Sequence, residues 1–253
     1  MDRTLSVKDV LADAWELAKK NFWILIGFTA VQFVAIFIIT AVLSAIFGGG
    51  GTGVLVQNIL LSLFDAFFTV AFYQVFFKLI DVPDDAEFPD LVPNLVKALN
   101  FLIVKLILGL VLVFLIAIIS SIYFINTPQI NIDADNPFRW DLLPIFVLIA
   151  IPIIFFTIRL CFVVCFIVDQ DSGSSESISQ SWTITQGHFF FIFVLFLIML
   201  GLNILGAMAF LLGLLFTVPF SSIILIIAYR HIVNSYIDEE EILLDGPEVN
   251  DEN

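Results

Sequence analysis

Charge is scarce in this chain of 253 residues, and positive charge scarcer still: 10 Lys and Arg stand against 24 Asp and Glu, a net charge of −14. Ten scattered cations cannot form the basic stripe that nucleic acid requires, so no nucleic-acid partner is expected. Nor is there a polybasic cluster to hold anionic lipid head groups. Histidine occurs twice, at His188 and His231, and cysteine twice, at Cys161 and Cys165. Those cysteines stand four apart in an apolar run without a nearby His or acid, which reads as two small hydrophobes rather than a disulfide or a metal site. No HExxH, GxSxG, phosphate-binding loop or Ser/His/Asp arrangement is visible. Asn131-x-Asp133-x-Asp135 imitates a calcium loop but has Asn136 where glycine is needed and Leu142 where a glutamate is needed. No catalytic residue, metal or cofactor is therefore expected, and the chain is read as a non-enzyme.

What is present is apolar bulk. Hydrophobic residues make up 60% of the chain, 29 of its residues are Phe, and charged residues reach only 13%, where soluble domains carry about 45–50% apolar and about 25% charged residues. About 20 apolar residues suffice to cross the hydrocarbon core as a helix. The long runs are apolar on every face, which excludes the period-2 alternation of a membrane barrel. The expected fold is an all-α integral membrane protein with six transmembrane helices. The spans are Phe22–Phe47, Val54–Ile80, a third ending near Ile125, Leu142–Val168, and two more within the stretch from His188 to Tyr229, which carries no Asp, Glu, Lys or Arg. A break near Gly213–Pro219 divides that stretch, and the sixth span ends near Tyr236.

An internal repeat organises these spans. Sliding the chain by 167 positions brings Asp9 onto Glu176, Leu11 onto Ile178, Trp15 onto Trp182, Leu17 onto Ile184 and Phe22 onto Phe189. In both copies a short amphipathic segment feeds directly into an apolar run. At the first, Ser6 opens a helix-start pattern. Val7, Val10, Leu11, Ala14, Trp15 and Ala18 then share one face, as expected of a helix lying in the membrane interface. A weaker middle copy is read at 91–100. The result is three parallel repeats of interfacial helix plus transmembrane hairpin, over about 4–81, 88–169 and 172–237, within a membrane domain of 1–237. The acidic tail 238–253 is expected to be disordered.

Orientation follows from Lys and Arg counts. With the N-terminus cytoplasmic, that side holds Arg3, Lys8, Lys19, Lys20, Lys78, Lys97, Lys105, Arg159 and Arg230, and the other holds Arg139 alone. Both termini are then cytoplasmic. Trp15, Lys19, Lys20, Trp182, His188 and Arg230 are the expected interfacial anchors, and Lys78 and Lys105 are read as snorkelling side chains.

Asp65 stands out within the second span, because a carboxylate at that depth needs a partner or a task. Arg159, on the fourth span, is the expected partner. Asp65 and Arg159 together form the candidate intramembrane polar site, either a static brace or part of an ion or proton path.

The last third of the chain also resembles a known group. Arg159–Asp169 (RLCFVVCFIVD), Glu176–Gly187 (ESISQSWTITQG) and the later Pro219 and Tyr229-Arg230 resemble the membrane domain fused to some bacterial glycerophosphodiester phosphodiesterases and the stand-alone YciC-like integral membrane proteins. The resemblance implies a six-helix protein of the bacterial inner membrane and supplies no catalytic residues; the catalytic phosphodiesterase domain has no counterpart here. The leading expectation is a non-enzymatic protein that organises the bilayer or scaffolds a membrane complex. Its partners would be membrane lipids and a membrane protein or a second copy of itself. The alternative is a small transporter or channel with Asp65 and Arg159 at a midplane site.

Overall fold

A computed structural model of the chain describes residues 6–47, 51–81, 92–126, 143–209 and 213–244. Nine helices occur among them: α1 (Val7–Lys20), α2 (Phe22–Phe47), α3 (Gly51–Asp81), α4 (Leu95–Asn126), α5 (Leu143–Arg159), α6 (Val163–Asp169), α7 (Ser174–Ile184), α8 (Phe189–Met208) and α9 (Leu214–Leu244). The described residues contain no strand. Six stretches are long and apolar enough to cross a membrane: Phe22–Phe47, Gly51–Asp81, Leu95–Tyr123, Leu143–Asp169, Phe189–Met208 and Leu214–Tyr236.

The first and last amphipathic segments form as the sequence predicts, and in register. Ser6 caps α1 by accepting the Asp9 N–H at 3.4 Å, and α1 begins at Val7, the position that the 167-residue offset places over the first residue of α7. The following spans likewise begin at the aligned pair Phe22 and Phe189. The middle segment behaves differently. Residues 95–100 belong to α4, which runs without interruption to Asn126, so among the described residues no separate surface helix precedes the third span.

Four expected boundaries move. Gly51 and Gly53 are already helical, as the first turn of α3. The break in the last apolar stretch falls between Met208 and Leu214, and Pro219 lies inside α9, where its ring removes one helical hydrogen bond. The fourth span is interrupted at 160–162, between α5 and α6. Finally, α9 continues as helix to Leu244, into the acidic segment expected to lack structure. The calcium-like segment 131–142 and residues 245–253 lie outside the described residues.

Packing follows a ring. Each span touches the next along the chain, and α9 closes the circuit by packing on both α8 and α2. Two of the second members of each hairpin, α6 and α9, also pack on α3. The amphipathic helices are held by the bundle: α1 buries Val10, Ala14 and Ala18 and packs mainly on α9, while α7 packs on α6 and α4. Buried side chains concentrate at the end of the bundle that carries α1 and α7. In α3 nothing before Ala66 is buried, whereas Val70–Tyr73 and Val75–Phe77 all are; in α2 nothing beyond Thr29 is buried, and in α4 nothing beyond Val104. At ~1.5 Å per residue, α3 and α4 are each more than 45 Å long, which exceeds the ~30 Å hydrocarbon core. Each helix is therefore longer than the apolar slab is thick.

Candidate functional site

Asp65 stands sixteen residues before Asp81 at the end of α3, roughly 24 Å along the helix axis. It borders a cavity of about 190 Å³ between α2, α3 and α9. Thr29 and Gln32 contribute from α2, Asp65, Thr69, Phe72 and Tyr73 from α3, and Val218, Pro219 and Ser222 from α9. Gln32 lies ten residues into α2, roughly 15 Å from its start, near the middle of a ~30 Å core. The wall is unusually polar for that depth. The Thr29 hydroxyl donates to Leu25 O and the Thr69 hydroxyl to Asp65 O, both at 2.8 Å. A hydroxyl that donates back into its own helix keeps its lone pairs as acceptors.

The partner of the Asp65 carboxylate is Lys105 of α4, whose ammonium forms both a hydrogen bond and an ion pair with Oδ2. The ammonium also lies 5.6 Å from the Phe101 ring centroid. Lys105 is not part of the cavity wall, so it reaches the carboxylate from the α4 side while the cavity opens on the α2 and α9 side.

The expected pairing of Asp65 with Arg159 is thus not the one found. Arg159 closes α5 at the interruption of the fourth span, level with the chain that enters α8. There its Nη1 donates to Trp182 O and to Thr185 Oγ1, each at 3.4 Å, and the guanidinium carbon lies 5.5 Å and 5.2 Å from the ring centroids of Phe155 and Trp182. Ser181 Oγ donates to Arg159 O at 2.9 Å, taking one of the carbonyls left over where α5 stops. Position along the bundle explains the difference: Arg159 stands ten residues before Asp169 at the end of α6 and is engaged by the end of α7, whereas Asp65 stands sixteen residues before Asp81 at the end of α3. The signal in the sequence is Lys105 itself, which interrupts the apolar run LIVKLILGL at a position that an anchor does not require.

The predicted anchors separate into two kinds. Lys19 and Lys20 are exposed in the last turn of α1. Trp15 is 53% exposed while its ring meets Phe216 and Phe220 edge-on at 6.1 and 5.9 Å. Trp182 and His188 are half-buried within the bundle end; His188 Nδ1 lies 3.3 Å from Ile184 O, and its ring stands 5.9 Å from Tyr236.

Arg230 joins the three inner helices. Its Nη2 contacts Asp81 of α3 at 2.9 and 3.0 Å and Asp169 of α6 at 3.0 Å, and its guanidinium lies 5.0 Å from the Phe77 ring centroid. Beside it the buried Tyr229 hydroxyl donates to Asp169 Oδ2 at 2.9 Å and accepts from Gln170 Nε2 at 3.3 Å. Lys97 Nζ donates to Val168 O at 2.8 Å and pairs with Asp171 at 2.7 Å, and His231 Nε2 lies 2.8 Å from Asp13 Oδ2. Among the described residues no group of three or more His, Cys, Asp or Glu is arranged to hold a metal ion.

Comparison with known proteins adds a family. A family model described as a protein of unknown function (DUF975) matches residues 10–235. The chain belongs to this family. The DUF975 match begins inside α1 and ends in α9, so it takes in all six candidate spans together with Asp65, Lys105, Arg159 and Arg230. No curated protein and no solved structure matches.

Proposed function

We propose that this DUF975 protein is a small transporter or channel whose working site is the polar cavity around Asp65. One observation carries the reading: a carboxylate at mid-depth borders a cavity of about 190 Å³ edged with hydroxyl and amide groups. Ionisable residues inside a bilayer are expensive and commonly mark solute or ion paths. A volume below the ~300 Å³ typical of drug-sized ligand pockets suits an ion or a solute of few atoms. A purely organising or scaffolding role gains less support, because α1 and α7 commit much of their apolar surface to the bundle itself.

The same proposal includes the finer architecture. The hairpins α2–α3, α4–α5/α6 and α8–α9 are read as three parallel repeats about an axis near the membrane normal. Supporting this, α1 packs on the last helix of the third hairpin and α7 on the last helix of the second. The excess of Lys and Arg at the end bearing α1 and α7 supports reading that end as cytoplasmic, in a bacterial inner membrane. The likeness to the membrane domain of glycerophosphodiester phosphodiesterases and to YciC-like proteins belongs with this reading.

The test is permeability. Purified protein in liposomes is challenged with sodium, potassium, chloride, urea, glycerol and glycine, and solute entry is followed by light scattering. Entry of at least one of these, lost in Asp65→Asn, is the expected result. Permeability no greater than that of protein-free vesicles across the whole panel would rule the reading out.

A further inference from the structure

We infer that Arg159 holds the phosphate of an anionic phospholipid from the surrounding bilayer, in a site at the junction of α5, α7 and α8 that is independent of the Asp65 cavity. Three observations converge. The first is a missing counter-charge. Lys97, Lys105 and Arg230, half-buried like Arg159, each meet a carboxylate. Arg159 meets none among the described residues; its Nη1 reaches only a carbonyl and a hydroxyl, each at 3.4 Å. Its Nε is buried without a partner, while Nη2 makes no hydrogen bond and stays accessible. Leaving a half-buried charge in this state is costly, yet in a chain with 24 acidic residues none of the described ones is placed to relieve it. The completing anion is therefore one that the bilayer supplies.

The second is the frame around the guanidinium. The Phe155 and Trp182 rings stand 5.5 and 5.2 Å from its carbon and restrain the plane of a group able to grip two phosphate oxygens at once. The third is its level along the bundle. Trp182 and Thr185, which Arg159 contacts, stand just before α8, whose apolar span begins at Phe189. The guanidinium is thus beside the end of that span, where aromatic side chains and lipid head groups meet. Away from Arg159, α5 and α8 continue without Asp, Glu, Lys or Arg and pack on each other. Ile151, Ile154, Phe190 and Leu197 are exposed on them, a surface for the acyl chains of the same lipid.

Charge decides which lipid is held. A phosphatidylglycerol headgroup brings a net negative charge and leaves the pair with Arg159 neutral, whereas phosphatidylcholine brings its own cation and does not. The protein, at −14 overall, repels anionic lipid at long range. A preference for phosphatidylglycerol therefore reports this contact and not bulk charge.

The test uses the full chain in neutral detergent with equal amounts of phosphatidylglycerol and phosphatidylcholine carrying the same acyl chains, and retained lipids are counted by native mass spectrometry. Preferential retention of phosphatidylglycerol is expected. Arg159→Gln lowers that retention roughly tenfold or more, the factor for losing a hydrogen bond to a charged group. Lys20→Gln, on the exposed face of α1, leaves it unchanged. Arg159→Lys, which keeps the charge without the fork, falls between them. Should Arg159→Gln fail to fold, Arg159→Lys and the melting of the wild type carry the test: phosphatidylglycerol raises the Tm, and inorganic phosphate at the same concentration does not. Equal retention of the two lipids, a preference untouched by the Arg159 substitutions, or one lost equally in Lys20→Gln would overturn the site. Protection by inorganic phosphate matching that by phosphatidylglycerol would assign a free anion to Arg159 and overturn the lipid.

Discussion

Where α8 turns into α9, two glycines touch, and an added methyl group at either tests the geometry directly. An ideal Cβ on Gly213 would lie 2.6 Å from Gly206 O and 2.7 Å from Gly206 Cα, both backbone atoms of a packed helix. One on Gly206 would meet Thr217 Oγ1 at 2.4 Å and Cγ2 at 3.0 Å, then Gly213 C at 3.1 Å. Overpacking a tight contact costs about 1–3 kcal/mol. The two substitutions are not equivalent. Thr217 can rotate away from Gly206→Ala, whereas Gly213→Ala is relieved only by moving one helix off the other. Gly213→Ala should therefore fall near the upper end of that range, a drop in Tm of roughly 4–12 °C at about 2–4 °C per kcal/mol. Gly206→Ala should lose less, and Thr217→Ala in the same chain should restore part of the loss. The assay can use the protein's own thiols: Cys165 is buried and Cys161 half-buried, so a thiol-reactive dye reports unfolding in detergent without an introduced label. If Gly213→Ala melts with the wild type, or Gly206→Ala is the worse of the two, the close approach of these helices is wrong.

Two further outcomes follow from the charged end of the bundle. Arg230→Met leaves Asp169, 16% exposed, without its cation and parts α9 from α3 and α6; a loss of about 2–3 kcal/mol is expected, at or below the low end of the range for breaking buried pairs because Asp81 is more than half exposed. The same melting assay reads it, and an unchanged Tm would remove the clamp from the account. Tyr229→Phe keeps the ring among Phe77, Phe162 and Phe166 but takes the hydroxyl from Asp169. It should cost about 1.5–3 kcal/mol, as for a hydrogen bond to a charged group, and Asp169→Asn in the same background should add less than it does alone.

Hydropathy made the six spans legible, since runs of this length have no other stable solution, and the α1 and α2 boundaries were readable from the Ser6 cap and the change from amphipathic to wholly apolar sequence. Three features escaped for physical reasons. Pro219 looked like a helix end, yet proline within the first two turns removes one bond and leaves the rest of the helix intact. The interruption at 160–162 carries neither glycine nor proline; it is held by tertiary contacts, above all Ser181 on Arg159 O, and no local propensity marks it. The choice between Arg159 and Lys105 as the partner of Asp65 is a matter of position along the bundle, which only packing determines. In the sequence Arg230 reads as an anchor because its acceptors, Asp81 and Asp169, are distant along the chain.

The uneven distribution of buried side chains bears on how the molecule meets membranes of differing thickness. Its tightly interlocked end, clamped by Arg230, has little freedom to tilt or slide. The opposite reaches of α2, α4 and α5, with scarcely a buried residue among them, touch acyl chains more than one another. Stretching or thinning of the lipid layer is therefore taken up by splaying at that end. Asp65 stands where the sparsely packed portion meets the tightly packed one, directly before Ala66, the first buried residue of α3.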